Sequence, residues 1–65
     1  MGGGKYRIEQ NGQFLGHHSG HDPAEAIGKA VDKYGSYYKI DTNDWFDVYK
    51  GAYHSQIYVG ENNER

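Results

Sequence analysis

Residues 17–22, His17-His18-Ser19-Gly20-His21-Asp22, put three imidazoles and a carboxylate into one short run. Neutral imidazole suits zinc and nickel, so a metal site is the first chemistry to weigh. The spacing argues against it: it fits no zinc pattern, and H-E-x-x-H is absent. His17 and His18 on a strand point to opposite faces, so at most one joins His21 unless a bulge intervenes. Asp22 has a better use as a helix cap. The expectation is no metal and no cofactor, with His17, His18 and His21 as the candidate ligands should one bind.

Other reactive patterns fail sooner. Gly2-Gly3-Gly4-Lys5 looks like the end of a phosphate loop but lacks the spaced first glycine and the following Ser or Thr. Asp41-x-Asn43 begins like a calcium loop, but Trp45 and Phe46 occupy the next ligand and glycine positions. There is no cysteine, and no serine has a nucleophile-elbow context. A 65-residue chain has little room for a deep, water-excluding pocket. An enzyme is not expected.

Binding is better supplied. Seven Tyr, two Phe and one Trp make up much of the apolar material, because aliphatic residues are few. Their position depends on the elements that carry them. The best-marked element is a helix over residues 22–35. Asp22 is its N-cap, Pro23 its first residue, and Glu25 stands three after the cap in a capping-box relation. Ile27, Ala30, Val31 and Tyr34 recur at the period of one buried stripe, with Ala24 and Gly28 at its edge. Gly28 either lets the helix approach a sheet or is simply tolerated, and Gly35 is expected to end the helix in the left-handed conformation.

Hairpins flank the helix. Asn11-Gly12 is a favoured two-residue turn, which sets Glu9 opposite Phe14, Ile8 opposite Leu15 and Tyr6 opposite His17. Tyr6, Ile8, Leu15 and His17 then face the helix, and Arg7, Glu9, Phe14, Gly16 and His18 face away. A second hairpin turns at Lys50-Gly51-Ala52-Tyr53, pairing Tyr49 with His54, Val48 with Ser55, Phe46 with Ile57 and Trp45 with Tyr58. Phe46, Val48, Ile57 and Val59 join the helix side. Tyr37, Tyr38 and Ile40 form either a short strand or a loop packing aromatics over the helix end. The expected fold is α+β: a ββαββ two-layer arrangement with one helix on one face of a mainly antiparallel four-stranded sheet. Residues 1–65 are read as one domain, with residues 1–4 a flexible glycine-rich lead-in and residues 61–65 a frayed tail.

That arrangement leaves one sheet face uncovered, displaying Phe14, Trp45, Tyr49 and Tyr58 with His54 nearby. Exposed aromatics of this kind suit protein interfaces and single-strand nucleic-acid binding by stacking, and they can also simply stabilise a hairpin. Charge separates the first two. The chain carries a formal net charge of −2, and the aromatics concentrate in its acidic C-terminal part. Nucleic-acid binders gain affinity from a basic surplus that is missing here. The expected function is therefore a small binding module acting through the aromatic face, by self-association as a homodimer or with a protein partner. The alternative is nucleic-acid binding, with Lys5, Arg7, Lys29, Lys33 or Lys39 on phosphates. No apolar run reaches membrane-span length and no signal-peptide pattern is present. No membrane partner is expected, and the expected location is the cytoplasm, in a protein of cellular or viral origin.

Overall fold

The computed structural model describes residues 4–60. The elements run β1 (Gly4–Gln10), β2 (Gln13–Gly20), α1 (Pro23–Tyr34), β3 (Trp45–Lys50) and β4 (Tyr53–Tyr58). The strands form one antiparallel sheet in the order β2-β1-β3-β4, and the helix packs on one face of it over β2 and β1. This is the two-layer α+β plan. Residues 1–3 and the tail of residues 61–65 lie outside the described residues, and Gly4 belongs to β1 rather than to a lead-in.

The first turn forms as its residues dictate. Asn11 and Gly12 both take positive φ, 50° and 85°, as a type I′ turn requires. Gln10 pairs with Gln13 and Glu9 with Phe14. Beyond that point the expected register fails. Arg7 pairs with His17 and Tyr6 with His18, so β2 holds an extra residue and Leu15-Gly16 together oppose Ile8. Gly16 makes the bulge possible, with φ at 90° and its Cα so close to the helix that an added Cβ would sit 2.9 Å from Tyr34 Cε2. One extra residue exchanges the faces of everything after it. His17 therefore lies on the open face, while His18 turns to the helix side, with Nε2 2.7 Å from Leu15 O and its ring edge-on to Tyr34.

The N-cap is as read, Asp22 Oδ1 accepting from the Glu25 amide at 2.9 Å, but the Glu25 side chain reaches one residue further back than a capping box, its Oε1 accepting from the His21 amide at 2.6 Å. The stripe is rolled from its expected centre. Ala26, Ile27 and Ala30 are fully buried and Val31 and Tyr34 half-buried, whereas Ala24 and Gly28 are exposed. Two alanines at the contact let the helix lie close to the sheet. Gly28 has open space around it, so close approach does not explain it. Gly35 is right-handed, φ −60° and ψ −24°, and its amide donates to Val31 O. The helix unwinds instead through the Tyr37 and Tyr38 amides, both donating to Tyr34 O. The following residues form a loop, in which Tyr38 stacks on Tyr34 at 5.7 Å between centroids.

The second hairpin keeps the expected opposition from Trp45–Tyr58 to Tyr49–His54, but its turn is tighter. Lys50 pairs with Tyr53, leaving Gly51-Ala52 as the loop with Gly51 at φ 59°. Glycine first with positive φ is the pattern of a type II′ turn, and trimming one residue from each side leaves the pairing unchanged. The core is Tyr6, Ile8, Leu15, Ala26, Ile27, Ala30, Phe46 and Val48, with Ile57 and Val59 packed at its margin.

Candidate binding surface

Residues paired across strands share a face, so the registers draw the open face as rows. His17, Arg7, Tyr49 and His54 make one row from β2 to β4. Phe14, Glu9, Asp47 and Gln56 make the next, and Trp45 and Tyr58 a third at one corner. No part of the helix reaches this side. All five aromatic-face residues read from the sequence, Phe14, Trp45, Tyr49, His54 and Tyr58, are on it.

They differ in what they can offer. Tyr49 is enclosed: His54 stacks on it at 4.3 Å and 7°, and the Arg7 guanidinium lies 4.2 Å from the ring centroid. Arg7 and His54 come from the strands on either side of β3, so both faces of the Tyr49 ring are covered. Arg7 Nε also meets Glu9 Oε2 at 3.1 Å. Asp47 Oδ1 lies 3.0 Å from His54 Nε2 and accepts from Gln56 Nε2 at 3.4 Å. The middle of the face is thus a lattice of one Arg–Glu ion pair, hydrogen bonds to Asp47 and stacked planes.

The corner is different. Trp45 and Tyr58 touch each other at 5.5 Å between centroids, yet 54% of Trp45 and 49% of Tyr58 stay accessible. Phe14, at the far side, meets the edge of His17 and is 46% accessible. These rings, unlike Tyr49, have surface available for a partner.

Lys5, Arg7, His17, Tyr49 and Gly51 line a half-open depression of about 220 Å³. That is smaller than the roughly 300–1,000 Å³ of small-molecule pockets. Of the other lysines read as phosphate contacts, Lys29 and Lys33 are on α1 and Lys39 is in the loop after it, none of them on the sheet. Lys29 Nζ is instead 3.2 Å from Ser19 Oγ, and Lys33 Nζ lies over the Tyr34 ring. The three histidines are parted: His17 on the open face, His18 under Tyr34, and His21 before the helix. Among the described residues no group of three or more His, Cys, Asp or Glu side chains could hold a metal ion. No described helix is long and apolar enough to cross a membrane.

The alternation rule misassigned His17 because it passed over Gly16; an isolated glycine inside a strand is the available signal for a bulge. No family model, curated protein or solved structure matches this chain.

Proposed function

We propose that this chain is a non-enzymatic binding module that works through its open aromatic face, by contact with a second copy or another protein surface. The observation that carries this is the Trp45–Tyr58 pair, two large rings in mutual contact and each half accessible on a face that no described residue covers. Aromatics of this kind are what protein interfaces concentrate, because they bury much area at little conformational cost. The carboxylates of Glu9 and Asp47 in the same face oppose a phosphate backbone, and the covered faces of Tyr49 leave a base nothing to stack on there.

Sedimentation velocity over a wide concentration range, with Trp45 emission followed in parallel, tests the proposal. Association with a blue shift of Trp45, both lost in Trp45→Ala, is the expected result. A monomer at every concentration with unshifted emission counts against self-association. Quenching of Trp45 by a single-stranded oligonucleotide that weakens as salt rises would favour nucleic acid instead.

A further inference from the structure

The outer edge of β4 is the least protected part of the fold. Lys50 and Tyr53 close a two-residue turn and so form a hydrogen-bonded pair, and such pairs alternate along an antiparallel ladder. Tyr49–His54, Asp47–Gln56 and Trp45–Tyr58 are then the non-hydrogen-bonded pairs. It follows that the N–H and C=O groups of His54, Gln56 and Tyr58 point away from β3. No strand lies beyond them among the described residues.

Sheets ordinarily blunt such an edge with a bulge, a proline, a charge or a cover. The opposite edge, β2, has the Leu15-Gly16 bulge and the reach of Lys29 to Ser19. Among the described residues β4 has none of these. Its register with β3 is unbroken from Trp45–Tyr58 to Lys50–Tyr53, and residues 51–60 contain no Asp, Glu, Lys, Arg or Pro.

We propose that β4 pairs antiparallel with β4 of a second copy about a two-fold axis at Gln56, joining two sheets into one. This rests on the self-association proposed above and names the edge that carries it. A two-fold axis sets residues near it against their own counterparts, which repels like charges and suits a strand that has none. A charged peptide finds no complement on the same strand. With the axis at Gln56, every outward backbone group is used: Gln56 pairs with its counterpart and His54 with the second copy's Tyr58. On the open face Tyr49 and His54 then continue into Tyr58 and Trp45 of the second copy as one aromatic line.

The chain lacks cysteine, so single-cysteine variants report the pairing cleanly. Counterpart Cα atoms in a hydrogen-bonded pair lie about 5.5 Å apart, within disulfide reach. Under mild oxidation Gln56→Cys is expected to form a covalent dimer at least about ten times faster than Ser19→Cys on the β2 edge. Gln56→Lys, which sets two cations across the axis, and Gln56→Pro, which removes an outward N–H, are each expected to sediment as monomers with unchanged far-ultraviolet circular dichroism. Equal cross-linking of folded Gln56→Cys and Ser19→Cys overturns the proposal, even where Gln56→Lys or Gln56→Pro fails to fold. A Gln56→Lys chain that stays dimeric while Trp45→Ala is monomeric overturns the edge and leaves the aromatic face standing. A wild-type monomer at all concentrations removes both.

Discussion

Gln10 holds the peptide of Asp41 from both sides: its Nε2 donates to Asp41 O at 2.7 Å, and its Oε1 accepts from the Asp41 amide at 3.0 Å. Gln10 is 5% exposed, at the end of β1 on the side of the core. The long connection between helix and β3 is thereby tied to the first hairpin. Gln10→Leu keeps the apolar stem but leaves the Asp41 amide without its acceptor and the Asp41 carbonyl with only the Asp44 amide at 3.2 Å, and is expected to destabilise by about 2 kcal/mol. Chemical denaturation gives the value directly. In a domain this small the thermal midpoint is expected to fall by about 10 °C.

Gly28 gives the opposite sign. It lies inside α1, exposed, with nothing within 4 Å of where a Cβ would stand. Gly28→Ala is expected to stabilise by about 1 kcal/mol, the helix-propensity difference. A higher urea midpoint with an unchanged slope would show it.

Gly16 tolerates no such change. A side chain there meets positive φ together with the Tyr34 and His18 rings. Gly16→Ala is expected to cost about 2 kcal/mol or more, from the left-handed backbone and the forced shift of those rings. The ring protons of Tyr34 and His18 should move in the NMR spectrum while those of the distant Trp45–Tyr58 pair stay in place.

The Arg7 contacts can be ranked by substitution. Arg7 stacks on Tyr49 and pairs with Glu9 at the partly exposed surface. Arg7→Lys keeps the charge but not the plane over the ring, and is expected to cost about 0.5–1 kcal/mol. Glu9→Gln, which removes only a partly exposed surface ion pair, is expected to cost less than about 0.5 kcal/mol. A larger loss in Glu9→Gln than in Arg7→Lys would mean that the ion pair, rather than stacking, places Arg7.

Local chemistry made most of this fold legible. Asp22, Pro23 and Glu25 mark the helix start, Asn11-Gly12 fixes one turn, and the alternation from Trp45 to Tyr49 fixes one strand's faces. Those signals reach only a few residues along the chain. A lone glycine in β2 hints at a bulge, but what settles it at Gly16 is the Tyr34 ring on the helix, and the roll of α1 toward Ala26 answers to the sheet, so a local pattern decides neither. Gln10 is the same case: its partner is 31 residues away. On the open face the membership of Phe14, Trp45, Tyr49, His54 and Tyr58 followed from alternation and turn length. The covering of Tyr49 by Arg7 needed the β1–β3 register, which nothing in the hairpins specifies.

The inequality of the two outer strands has a bearing on stoichiometry. A sheet with two flat edges is divalent: each added chain presents a fresh end, and growth continues into a ribbon or fibre. Here the Leu15-Gly16 bulge spoils the ladder on one side while the strand on the other side is regular along its length. A chain that pairs through β4 as proposed would therefore be monovalent: its sheet would be extended once, and the bulge at Gly16 would cap the count at two.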